Sequence, residues 1–148
     1  MIIGPLARNA EKVFMVIKNV SGAVISAGYL VNYCIGGNSF DGVSAVLAAS
    51  GTTADLPGFI GVANADIANT AYGIVQCWGF AGSVRYSNVG SSVTINQGDL
   101  LIPGAGAGGA FSGAAPSAAN AGLKYIIASN VPVAISAAGY LSGFVRCI

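Results

Sequence analysis

Three groups of residues in this chain are of types that do chemistry. The segment LLIPGAGAGGAF, Leu100 to Phe111, sets Gly104, Gly106 and Gly109 in the spacing G-x-G-x-x-G behind a short apolar run. In a dinucleotide-binding unit those glycines let backbone N–H groups approach a pyrophosphate at the start of a helix. Five carboxylates, Glu11, Asp41, Asp55, Asp66 and Asp99, contain the makings of a glycosidase pair, and Cys34, Cys77 and Cys147 are candidate nucleophiles or metal ligands. Their surroundings remove most of this chemistry. Pro103 separates the apolar run from the first glycine, Gly113 and Pro116 interrupt the stretch where a helix should propagate, and no acid follows Asp99 to hold a ribose. The chain has no histidine to serve as a base or zinc ligand, and no C-x-x-C, G-K-[ST] or G-x-S-x-G. Asp41, Asp55 and Asp99 lie close to glycine or proline, where Asp is commonly a turn residue. The three cysteines read as buried thiols packing as small hydrophobes. The expectation is a protein that is not an enzyme and holds neither cofactor nor metal.

Only 7% of the 148 residues are charged, whereas an ordinary soluble domain carries about 25%. The net charge is +1, and the six cations, Arg8, Lys12, Lys18, Arg85, Lys124 and Arg146, are spread along the chain. Neutralising a run of phosphates needs cations gathered on one face, so direct nucleic-acid binding is not expected. Two uncharged windows, Asn19 to Phe40 and Tyr125 to Val145, match the length of a membrane span, but asparagines, serines, glycines and Pro132 interrupt them. No membrane partner is expected. The opening MIIGPLARNAEKV lacks the basic start and apolar core of a signal peptide, which implies synthesis in a cytoplasm.

The elements that must position any site are short runs rich in Val, Ile, Tyr and Phe, separated by Gly, Asn, Ser and Pro. Strands are predicted in KVFMVIKN (Lys12 to Asn19), GYLVNYCI (Gly28 to Ile35), VSAVLA (Val43 to Ala48), GFIGVA (Gly58 to Ala63), YGIVQCWGF (Tyr72 to Phe80) and SVRYS (Ser83 to Ser87). Further strands are predicted in SVTIN, DLLI, KYIIAS, VPVAIS and YLSGFVRCI. The best helical candidate, ANADIANTA (Ala63 to Ala71), amounts to a turn or two. The pattern predicts an all-β fold, a small β-barrel or jelly-roll-like sandwich over residues 13–148. Residues 1–12 read as an extended N-terminal arm, and 103–122 as a long Gly/Ala-rich loop with too little side-chain surface for a core. Trp78, Phe80 and Tyr86 flank an expected tight turn at GFAGS and are the aromatic candidates for partner contact.

Gly58 to Pro103 resembles the central block of tailed-bacteriophage capsid decoration, or cement, proteins. The matching positions are Gly61, Val62, Ala63, Asp66, Gly73, Val75, Gln76, Gly79, Ile95, Gly98, Asp99 and Leu101. A looser similarity extends upstream through IKNVSGAVISAGYLV and downstream to GFVRCI. The resemblance implies a compact β-domain, dimeric or trimeric, that sits on the outside of a virion head and clamps neighbouring copies of the major capsid protein. Low charge agrees with that implication, because a nearly uncharged surface is best covered by neighbours. Arg8, Lys12, Trp78, Phe80, Tyr86 and Phe111 are the candidate contacts with the capsid. The alternative is a homo-oligomeric recognition module, such as a carbohydrate-binding or fibre-tip domain, using Trp78 and Tyr86 as a stacking platform.

Overall fold

The computed structural model describes residues 11–34, 41–48, 58–86, 93–101, 103, 125–129, 133–135 and 138–147. The expected all-β class is met: among the described residues there are ten strands and no α-helix. They are β1 (Val13–Asn19), β2 (Leu30–Tyr33), β3 (Ser44–Leu47), β4 (Phe59–Ala63), β5 (Tyr72–Tyr86), β6 (Val93–Ile95), β7 (Leu100–Leu101), β8 (Tyr125–Ala128), β9 (Val133–Ile135) and β10 (Gly139–Arg146). Of the residues expected in the arm only Glu11 and Lys12 are described, and of the long loop only Pro103. The G-x-G-x-x-G segment and Asp55 lie outside the described residues.

Five strands close into a barrel in the order β1-β3-β2-β4-β5, with β5 pairing back onto β1. Closure removes the free edges that an open sheet of this size would leave to other chains. The β1–β3 pair is parallel, and the other barrel pairs are antiparallel. The first half of β5 belongs to the barrel. Its second half leaves the barrel and pairs with β10, which continues through β8 to β7. A separate ribbon joins β6 to β9.

Alternating side chains give this arrangement two cores. Ile17, Val31, Ala45, Ile60, Ala63 and Val75 fill the barrel with Ile25 and Ile67 from its loops. Leu30, Phe59, Val62, Cys77, Ala81, Val84, Leu101, Ile126, Leu141, Val145 and Cys147 form the second cluster. β4 therefore contributes to both cores and is buried along its whole length, which explains its continuous apolar run FIGVA. Each fully buried side chain of this size is worth about 1.5–3 kcal/mol.

The best helical candidate, Ala63 to Ala71, expected as a turn or two, is instead the end of β4 and the β4–β5 connection. Ile67 makes an isolated antiparallel bridge with Ile25 in the β1–β2 connection, each N–H donating to the other's carbonyl at 2.8 and 3.0 Å. Asn19 completes the clasp: its buried amide donates to the carbonyls of Ala23 at 2.7 Å and Ile67 at 2.9 Å, while its oxygen accepts from the N–H and hydroxyl of Ser21. A long-range bridge and a saturated buried amide outweigh the weak local preference for a helical turn.

Candidate functional site

The barrel turns one apolar face inward and leaves a second one outside. Met15 and Ile17 of β1 pack against the barrel core, so Phe14, Val16 and Lys18 point away from it. Val75 of β5 is likewise interior, which turns Tyr72 and Ile74 outward. The register sets Val16 opposite Ile74 and Lys18 opposite Tyr72, so these side chains stand side by side on the wall. Tyr72 is 66% exposed and Val16 60%, with Phe14 and Ile74 close to half. This first patch is thus a two-strand block of apolar side chains in water.

A second patch lies where β5 has left the barrel. Cys77 and Ala81 of β5, with Leu141 and Val145 of β10, face the second core, leaving Trp78, Phe80, Phe144 and Arg146 on the other side of the pair. Trp78 is opposite Arg146, and Phe80 is opposite Phe144. Trp78 and Phe144 meet diagonally, edge to face, with ring centroids 5.3 Å apart and planes at 82°. Such a pair is worth about 0.5–1.5 kcal/mol beyond area burial and holds the indole in place before any partner arrives. Phe80 remains exposed beside it. Further along β5, the Arg85 guanidinium lies 4.2 Å over the Tyr29 ring, opposite the exposed Tyr140.

The described aspartates serve turns. Asp66 accepts the Ala27 N–H at 2.8 Å and thereby ties the β4–β5 connection to the β1–β2 connection. Asp99 accepts the Asn96 N–H at 2.7 Å in the β6–β7 turn. Asp41 accepts the N–H groups of Ser44 and Val43 and the Ser44 hydroxyl, which pull its carboxyl down from 3.8 to about 2. A folded-state value below the unfolded one favours the ionised, folded form. The stabilisation is therefore present above about pH 4 and fades as the pH falls toward 2. Denaturant melts at pH 5 and pH 2.5 are expected to show a loss of stability that Asp41→Asn, already without the charge, shows to a smaller extent.

Those three acids are committed to turns, while Lys18 and Arg146 are in register with the patches and the backbone of Glu11 lies against Gly79 beside the second. Among the described residues no three His, Cys, Asp or Glu gather as a metal site. Among the described residues no helix is long and apolar enough to cross a membrane.

Of the residues singled out from the sequence, Trp78 and Phe80 come together on the second patch. Tyr86 does not join them, because it packs against the second core on the opposite face of the β5–β10 pair. The expected GFAGS turn is absent: β5 runs unbroken from Tyr72 to Tyr86, and an irregularity between the Leu141 and Gly143 pairings shifts which residues face the core. This shift is why Trp78 and Tyr86, an even number of residues apart, face opposite ways. Lys12 is exposed immediately before β1, while Arg8 and Phe111 lie outside the described residues. Sequence reasoning missed Phe14, Val16, Ile74 and Phe144. The signal was present in VFMVI, five apolar residues in a row with no polar face.

Comparison with known protein families, with curated proteins and with solved structures finds no match to this chain.

Proposed function

We propose that this chain is a non-enzymatic structural protein of a bacteriophage virion, made in the host cytoplasm, that binds the outside of the head and bridges copies of the major capsid protein. The observation that carries this reading is the pair of exposed apolar patches on a barrel with few charges. Phe14, Val16, Tyr72 and Ile74 would leave water on docking, with Trp78 and Phe80 as a second point of attachment. Two points of attachment on one continuous sheet suit a clamp, which must hold two neighbours at a fixed separation. Lys18, in register with Tyr72, suits a shell surface with a carboxylate at its rim.

The residues of the cement-protein resemblance support the same reading through the fold. Asp66 and Asp99 close turns, Gly73 leaves room for Ile67, and Gly61 lets β4 approach β5. They are residues that build the fold, leaving its outer wall to be set by whichever surface it meets. The recognition-module alternative asks Trp78 and Tyr86 to share a face, which they do not. Self-association into a dimer or trimer remains part of the proposal, since two patches can serve a second copy as well as the shell.

A ligand that binds only the assembled shell stabilises it by mass action, about 2.7 kcal/mol per site at one hundred times Kd. Purified protein mixed with empty heads is expected to sediment with them at a fixed ratio to the major capsid protein and to raise their melting temperature. Heads that sediment without it and melt unchanged would refute the reading.

A further inference from the structure

We infer that Cys77 and Cys147 form an oxidative cross-link site within the second core. Arg146 pairs with Trp78 in the antiparallel β5–β10 register, so the next residues, Cys147 and Cys77, are directly opposite. The Cys147 N–H donates to the Cys77 carbonyl at 3.0 Å, which marks them as a hydrogen-bonded pair. Both side chains enter the same apolar cluster and are 2–3% exposed. Such pairs hold their Cα atoms about 5.5 Å apart, inside the 4.4–6.8 Å range that a disulfide spans. Directly opposed residues also project their Cβ atoms to one side of the sheet, about 4.5–5.5 Å apart, and the bond draws them to about 3.5–4.5 Å, a movement taken up where the pair stands at the end of β10. In the structure both are thiols, and the Cys77 Sγ–H donates to the Val13 carbonyl at 3.3 Å.

The co-reactant is a small-molecule disulfide such as oxidised glutathione. Cys147 stands just beyond the end of β10, where opening of the pair costs least, and its thiolate attacks the glutathione disulfide. One glutathione leaves as a thiolate, and the other stays bonded to Cys147. The Cys77 thiolate then attacks the Cys147 sulfur, forming the Cys77–Cys147 bond and releasing the second glutathione. Two protein thiols are oxidised, one disulfide is reduced, and the two thiol protons end on the two glutathiones. The bond ties the end of β10 to β5 directly beside Trp78 and Arg146, and so locks the strand pair that carries the second patch. This inference rests on the strand register and stands whether or not the protein belongs to a virion.

The third cysteine, Cys34, lies just past β2, outside both core clusters, and serves as an internal control. The full chain is equilibrated in a glutathione redox buffer, both as the folded protein and during refolding from denaturant, then unfolded in an alkylating reagent and mapped by mass spectrometry. The expected result in the refolding arm is one alkylated cysteine, Cys34, and a peptide joining Cys77 to Cys147. Cys34→Ser is expected to give the same linked peptide with no alkylated cysteine, and Cys77→Ala to give two alkylated cysteines and no link. Three alkylated cysteines after refolding, or a link that involves Cys34, would overturn the inference. The refolding arm separates a buried pair that oxidant reaches slowly from a pair that cannot bond.

Discussion

Replacing Ile74 by Asp is expected to weaken attachment to empty heads by at least thirtyfold while leaving the fold intact. Ile74 is about half exposed and sits in the first patch opposite Val16, between Tyr72 and Gln76 along β5. In the free protein an aspartate there reaches water, so the change in stability should stay at about 1–2 kcal/mol, the loss of the half-buried isoleucine and of strand propensity. On docking, the same carboxylate would be taken out of water against an apolar surface with no partner, and central interface positions cost at least about 2 kcal/mol when disrupted. Val16→Asp, directly opposite on the adjacent strand, is the second variant. The measurement is sedimentation with heads across a concentration series, together with thermal melts of the free protein. Unchanged binding by both variants would remove the first patch from the interface. It would leave the second patch, tested by Phe80→Asp, as the remaining attachment.

Gly61→Ala is expected to cost more than about 4 kcal/mol and to move the denaturant midpoint far below that of the parent chain at 25 °C. Gly61 has φ of +146°, a conformation that side chains rarely adopt, and a Cβ there would meet the carbonyl oxygen of Gln76. That atom is backbone and cannot rotate away. To admit the methyl group β4 would have to draw off β5, breaking the Val62–Gln76 and Ala63–Val75 pairs that close the barrel. Because β4 fills both cores, the damage would not stay local. Gly22→Ala is the control: φ there is +83°, but nothing lies within 4 Å of the added carbon. It should cost only the backbone strain, about 1–3 kcal/mol. Denaturant melts of the two variants would separate the two contributions, and equal losses would mean that conformation alone sets the value of Gly61.

Much of the architecture was legible in the chain because it depends on local patterns. Short β-branched and aromatic runs, bounded by Gly, Asn and Asp, placed strands close to where they occur, and the turn roles of Asp41 and Asp99 followed from their neighbours. Errors arose where distant residues decide. Ala63 to Ala71 looks locally like a helical turn, yet Ile25 and the Asn19 amide, more than 40 positions away, hold it as a bridged loop. GFAGS looks like a hairpin turn, yet β10 supplies a partner for β5 from Trp78 to Tyr86, and a strand with a partner does not need to reverse.

The sequence by itself determined a nearly uncharged all-β chain, without histidine, whose apolar content exceeds what its few charges can cover. Composition and spacing carry that information. Tertiary structure decided which apolar residues remain outside. In a strand such as VFMVI both faces are apolar, and only barrel closure settles that Met15 and Ile17 are enclosed while Phe14 and Val16 face water. The same holds for Trp78 and Tyr86, whose separation in sequence suggests one face, and for Cys77 and Cys147, whose separation suggests no relation at all. An irregularity in strand pairing parts the first two and the β5–β10 register joins the second two, because which side a strand residue faces, and what stands opposite it, are properties of the pairing and not of the strand.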